Sequence, residues 1–303
     1  MPKRSRSFIA LDVLYIAMMI LPILSVMILK ILTYLPSEGI TISGARIFFK
    51  IPLPLGGLPI TESQVHSAAV MISIFFLCLY LTHGLAEKPN TRRQLVAEWI
   101  VEKADGLVRD NMGERFMGFV PFIMTVLAIS AFSSLLALFG LFAPTSDVNI
   151  VGGWAILVFI LITYYKLKGG VGPYLKGFLE PIPVFTPFNI VGELATPVSM
   201  AFRHYGNIMS GMVVSVLVGS ALSGLSAIVL GWLPGVLGEI PFLQIGIPAI
   251  LSVYFDLFSS VMQAYIFAML TMLYIANGFP ADEYEERKRK KAAKKAAKQA
   301  KVK

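Results

Sequence analysis

The chain has 303 residues, of which 56% are hydrophobic and only 15% charged, against about 45–50% and about 25% in ordinary soluble domains. With a mean hydropathy of +0.73, that balance excludes a soluble globular protein, and a single cysteine, Cys78, excludes a disulfide framework or a cysteine-built zinc site. The net charge of +8 is concentrated at one end: Asp282 to Lys303 holds ten Lys/Arg against four Asp/Glu, leaving +2 for the rest. This basicity belongs to a tail, and no nucleic-acid partner is expected.

A bilayer-spanning helix needs about 20 mostly apolar residues. Val13 to Leu35 meets that length, with Lys3, Arg4 and Arg6 before it. It exceeds a signal-peptide core and no small-residue cleavage site follows closely, so it reads as an uncleaved anchor. A Pro/Gly-rich connector, Pro36 to Thr61, leads to a second span, Val65 to Ala86. Phe116 to Ala143, 28 residues without a charge, makes the third, and Val148 to Tyr165 the fourth.

Between the second and third spans, Leu95, Val96, Trp99, Ile100, Ala104, Leu107 and Val108 recur at helical spacing. Arg92, Glu98, Glu102, Lys103, Asp105 and Arg109 mark the polar side, and Thr91 with Gln94 forms a capping-box signature. An amphipathic helix lying in the membrane interface is expected. The Ala-Lys repeats of the tail are expected to lie on anionic lipid headgroups, each basic residue contributing roughly 1 kcal/mol near the surface.

The C-terminal half carries two long, nearly uncharged stretches. From Leu194 to Gly238 the only formal charge is Arg203, and from Ile240 to Ala281 it is Asp256. Pro187 to Trp232 as one helix would run about 69 Å, over twice the hydrocarbon thickness, so it must lie strongly tilted or be broken. Ile240 to Gly278 poses the same problem, and the connector LPGVLGEIP between them reads as a helix-breaking turn. With six membrane segments, the basic clusters before the first span, after the second, after the fourth and after the last fall on one side. The positive-inside rule then puts both termini in the cytoplasm.

An arginine at membrane depth costs at least ~2.5–3.5 kcal/mol and by default marks a functional site with a partner. Arg203 shares a helix face with Asn207 and Ser210, and Gln263 lies two turns beyond Asp256 on the next helix. Polar groups on two facing helices suggest a hydrated pathway. The small residues Gly206, Ser210, Gly211, Ser215, Gly219, Ser220, Ser223 and Gly224 follow the same helix outward and permit close approach of a second surface.

These residues resemble the a subunit of the F-type ATP synthase membrane sector. The resemblance is carried by PVSMAFRHYGN followed by Ser210 and Gly211, by SSVMQAYIFAMLTMLYI with Gln263, by APTSDVN (Ala143 to Asn149) and by EPIPVFTPFNIVGEL (Glu180 to Leu194). It covers about Val65 to Gly278. The first span and the basic tail lie outside it. With the spans above, an all-α polytopic membrane protein of about six segments is expected, organised as an anchor span and extracytoplasmic connector (1–64), an ion-translocating region (65–280) that the resemblance implies, and a basic cytoplasmic tail (281–303).

The resemblance also implies a multi-pass subunit of a bacterial plasma membrane that translocates ions, expected to be protons, and is not catalytic by itself. Its expected partners are a ring of c subunits, the b-subunit peripheral stalk, the remainder of the complex and membrane lipids, with no cofactor and no metal. Arg203 matches the arginine that faces the ring carboxylates, Gln263 its polar partner on the next helix and Asn207 a polar site one turn along. Opposite charges 4 Å apart are worth about 4 kcal/mol at an effective dielectric of 20, or roughly three pKa units. An arriving ring carboxylate is thereby pushed to release its ion.

One departure stands out. Family members often pair an acidic group with a histidine at the sites matching Met212 and Asp256, and methionine cannot relay a proton. Asp256, about 10.5 Å outward of Gln263 by helix rise, is then the main carboxylate of the outer half-channel, and Glu193 is a candidate for the inner one. His204 points about 100° away from Arg203 and reads as a packing residue, and Glu180 as a loop residue. A stand-alone secondary transporter with an arginine-based anion site is the rival reading. It calls for an internal repeat, and Met1 to Tyr165 holds no second copy of the arginine-bearing pattern. An intramembrane enzyme would need a nucleophile-base or metal constellation, but His66, His83 and His204 sit on separate elements.

Overall fold

The run of apolar residues that opens the chain forms α1 (Arg6–Leu32), Pro22 included. This is a computed structural model, and it describes residues 6–33, 44–52, 57–87, 91–180, 182–232 and 241–300. The side chains at 244, 245, 249 and 294–300 are outside the description, as are Lys3, Arg4, the far tail and nearly all of the LPGVLGEIP connector. The Pro/Gly-rich connector contains a feature the periodicity did not signal, an antiparallel hairpin of β1 (Ile47–Ile51) and β2 (Leu58–Thr61) with Phe49 opposite Ile60. Strand residues here alternate too irregularly, with proline at both ends, to betray a period of two.

Thr61 ends β2 and caps α2 (Glu62–Thr82), its backbone N–H donating to the Gln64 side chain at 3.2 Å. Next comes α3 (Arg92–Met112), where Thr91 accepts from the Gln94 N–H at 3.2 Å. The expected capping box is only half present. Gln94 turns its amide to the Ala86 carbonyl at 2.6 Å and to Glu98 at 2.8 Å, because the chain from α2 returns beside it. Ala104, Val108 and Met112 are buried against the bundle, whereas Leu95, Val96 and Trp99 stay exposed on the protein surface, as an apolar face turned to lipid requires.

The third expected span is composite: a 3-10 turn (Glu114–Phe119), α4 (Val120–Leu135) and a second 3-10 turn (Leu136–Phe139). After a short 3-10 turn (Pro144–Ser146), Asp147 caps α5 (Val148–Leu167) by accepting from the Asn149 N–H at 3.0 Å. A short helix that the hydropathy pattern did not signal, α6 (Val171–Leu179), precedes α7 (Thr186–Leu230). At 45 residues, α7 runs unbroken through Pro197 for about 68 Å, so a bilayer of about 30 Å can contain it only at a steep tilt.

The return stretch resolves the same length problem differently. It divides into α8 (Phe242–Ser252), a π-helical turn (Val253–Ser259) and α9 (Ser260–Gly278). The Ser260 hydroxyl donates to the Phe255 carbonyl at 3.2 Å, filling one of the bonds that the wider turn displaces. The charged tail continues as α10 (Ala281–Ala300). It docks by Arg115 on Glu285 at 2.9 Å, and Pro280, just before it, lies against Gly169, where an added Cβ would meet the proline ring.

Six helical segments among the described residues are long and apolar enough to cross a membrane. Lipid is as apolar as leucine, so these helices associate through van der Waals fit and hydrogen bonds rather than hydrophobic transfer. The main core accordingly interlocks Val108 and Met112 of α3, Ile123 of α4, Val158 and Ile162 of α5, Met200 of α7 and Phe267, Met272 and Ile275 of α9. The small residues Ala155 and Ala201, with buried Val151, bring α5 and α7 together. The helix α1 packs on α2, and Asp12 joins His83 at 2.9 Å and Arg93 at 2.7 Å at the end of the bundle where α3 begins.

Candidate functional site

The long helix α7 sets the site. Arg203 lies near its middle and is exposed, while its neighbours Met200, Ala201 and His204 are buried against the bundle. Among the described residues Arg203 makes no ion pair and no hydrogen bond, and no ion pair joins it to Asp256. A guanidinium stays charged at any physiological pH. At membrane depth it therefore presents an unmatched positive charge outward from the bundle.

One turn on, Asn207 cross-links α7 to the end of the π turn, just before α9. Its amide donates to the Ser259 hydroxyl at 2.8 Å, and that hydroxyl donates back to the Asn207 side-chain oxygen at 3.0 Å. Ser210 is exposed on the Arg203 side and donates to the Asn207 carbonyl at 3.1 Å. Gln263, one turn beyond Ser259, is buried at 5% exposure. The contact brings Arg203, Asn207, Ser210, Ser259 and Gln263 to one part of the helix pair.

Asp256 sits inside the π turn, half-buried, accepting from the Ser252 hydroxyl. Counting α-helical rise from Gln263 therefore misplaces it, because a π turn advances less per residue and rotates its side chains. Such turns are frequent at functional sites. Gly211 is where α7 touches this turn: a Cβ there would stand 3.0 Å from the Phe255 side chain. That part of the small-residue stripe is packed within the chain, whereas Gly206 and Gly224 face open space within 4 Å.

His204 is fully buried, with its ring edge-on to Phe267 at 5.5 Å and Trp154 at 6.1 Å. Its Nε2 lies 3.3 Å from the Ser130 hydroxyl, and its Nδ1 has no partner among the described residues. From Ser130 a series of polar contacts continues that hydropathy and spacing did not single out. Ser134 bonds the Ser130 carbonyl at 3.0 Å and the Thr145 hydroxyl at 2.8 Å, and Ser63 donates to Asp147. His66, beside Glu62, bonds the Phe142 carbonyl at 2.7 Å. A seam of buried polar groups thus follows α4 from the hairpin end of the bundle to His204. The sequence signals were the serine cluster Ser130, Ser133 and Ser134 inside an otherwise apolar span and the APTSDVN motif that carries Thr145 and Asp147.

At the opposite end of α7, Glu193 is held by Lys166 of α5, whose ammonium donates to both carboxylate oxygens at 2.8 and 2.6 Å. Facing them, the Tyr174 phenol of α6 titrates above its ordinary range, because burial and the adjacent Glu193 carboxylate both oppose its anion. Glu180 is exposed, its carbonyl accepting from Asn189 at 3.0 Å.

The family described as ATP synthase A chain matches residues 65–276. Its curated relatives include ATP synthase subunit a of Legionella pneumophila (strain Philadelphia 1), 28% identical over 231 residues, which cover 76% of this chain and 91% of that protein. ATP synthase subunit a 1 of Crocosphaera subtropica is 32% identical over 217 residues, 71% of this chain and 85% of its own. The sodium ion specific ATP synthase subunit a of Propionigenium modestum is 27% identical over 278 residues, 81% of this chain and 88% of its own.

Proposed function

We propose, from the premise that this chain belongs to the ATP synthase A chain family, how such an ion-translocating, non-catalytic stator subunit does its work here. Arg203 is the charge that faces a passing ring of c subunits. The observation that carries this reading is its exposure on a tilted 45-residue helix, with no ion-pair partner among the described residues. An ionised ring carboxylate that draws near gains about 4 kcal/mol at 4 Å and an effective dielectric of 20. A charge that strong makes the carboxylate release its ion and blocks direct leakage between the two half-channels.

Asn207 and Ser259 hold the helix pair in register beside Arg203, Ser210 lines the approach, and Gln263 stands buried behind it on α9. Asp256 serves the outer half-channel and Glu193 the inner. The ion is taken as a proton, which the Asp256 carboxylate can bind and release; the choice between ions rests with the ring carboxylate. The peripheral-stalk b subunits hold the chain against the torque of the ring. The membrane is a bacterial plasma membrane with both termini in the cytoplasm, the orientation that the basic clusters favour.

The test is ATP-driven acidification of everted vesicles in sodium-free buffer, with equal amounts of assembled complex. Arg203→Ala abolishes it while assembly persists. Lysine restores little, since a compact ammonium lacks the guanidinium fork and loses its proton more readily when buried. Acidification by Arg203→Ala at the wild-type rate would refute the assignment, and a requirement for sodium would refute the choice of proton.

A further inference from the structure

The ion pair at the tail end of α5 has so far no role in the passage of the ion. Lys166 and Glu193 are 27% and 16% exposed, and both oxygens of the carboxylate are taken by one ammonium. A cavity of about 200 Å³ lies against the pair, lined also by Thr196 and Asn277. A second, of about 510 Å³, shares Lys166, Glu193 and Asn277 and opens past Tyr174 toward the root of α10 at Glu283. The ion pair therefore stands at the junction of two chambers. It lies ten residues before Arg203 on the same helix, about 15 Å away by helix rise.

We propose that Lys166 gates the inner half-channel by occupying the carboxylate that a leaving cation must use. The proposal rests on the stator reading above. Between turnovers the ammonium fills Glu193 and no other cation engages it. An arriving positive charge repels the ammonium, which swings aside on its flexible four-carbon stem into the larger cavity. Once the cation has left, the pair re-forms and opposes return flow. The Tyr174 phenol, neutral at physiological pH, is a further hydrogen-bond donor to the same carboxylate. Lys166 acts through Glu193 and is a positioning residue.

The test measures passive ion conductance of vesicles whose assembled complex has been stripped of its soluble sector, alongside ATP-driven pumping before stripping. Lys166→Gln raises the passive conductance roughly 1.5-fold to fivefold, the range open to a partly exposed ion pair. Lys166→Arg, which keeps the pair, returns it toward the low value. With Glu193→Gln in the background, Lys166→Gln has no further effect, because the lysine has nothing left to gate. Unchanged conductance in Lys166→Gln, or an undiminished effect of Lys166→Gln in the Glu193→Gln background, overturns the gate. Where Lys166→Gln fails to assemble, the doubly neutral Lys166→Gln/Glu193→Gln complex is measured, which leaves neither charge unpaired. Its failure to assemble assigns the pair to folding alone and also overturns the gate. If the stator reading itself is wrong, Arg203→Ala still pumps; if only the gate is wrong, Arg203 remains essential while conductance ignores Lys166.

Discussion

At the scale of single residues, the charges near α7 differ in what satisfies them. Glu193 is paired within the chain, Asp256 has only a hydroxyl donor, and Arg203 has no partner among the described residues. A charge that its own chain leaves unmatched can respond to one that arrives from outside. Asp256 belongs to the same logic, because Met212 offers no second titrating group on α7. Asp256→Asn is therefore expected to cut ATP-driven acidification sharply, Asp256→Glu to keep much of it, and Met212→Leu to be nearly silent. Rates are compared in everted vesicles at matched complex content. Near-normal pumping by Asp256→Asn would return that aspartate to a structural role in the π turn. His204 illustrates the opposite case: adjacent to the arginine in sequence, it is turned by the helical 100° into a fully buried site against Phe267 and Ser130.

At the scale of elements, the contact between α7 and the π turn separates two uses of small residues that one sequence stripe merges. Gly211 is small because Phe255 is there: a Cβ would stand 3.0 Å from that side chain. Gly206 has nothing within 4 Å of its Cβ position. Gly211→Val is expected to destabilise the helix pair by about 1–3 kcal/mol, as overpacking does, and to lower the midpoint of thermal unfolding of the detergent-purified complex. Gly206→Val is expected to leave that midpoint nearly in place yet stop pumping, if the proposed ring surface passes close to Arg203 and meets the added bulk. Equal loss of unfolding midpoint in both variants would place the whole stripe inside the chain. The π turn itself was not legible. Asp256 and Gln263, seven apart, fit an α-helix equally well, and only the packing of Phe255 on Gly211 and the Asn207–Ser259 bond show where the wider turn falls.

At the scale of the whole molecule, two ends of the bundle are chemically distinct. One gathers Asp12, His83 and Arg93, the Lys166–Glu193 pair and the docked root of α10. The other gathers the hairpin, Glu62, His66 and Asp147. If the first faces the cytoplasm, cysteines placed at Glu98 or Lys103 on α3, after Cys78→Ser, react with an impermeant thiol reagent in everted vesicles and not in intact cells. Reaction from outside the cell would invert the orientation. The sequence alone settled the membrane class, the spans, the amphipathic α3 and the solitary Arg203. These rest on hydropathy and period, which are local properties of the chain. It did not settle where each long stretch bends, since tilt without a break in α7 and a π turn before α9 are equally accessible solutions to the same excess length. Nor did it pair Lys166 with Glu193, or link His204 through Ser130 and Ser134 to Thr145. Lys166 and Glu193 lie 27 residues apart and Ser130 and His204 lie 74 apart, and only the packing of α4, α5 and α7 against one another brings their polar atoms within bonding distance.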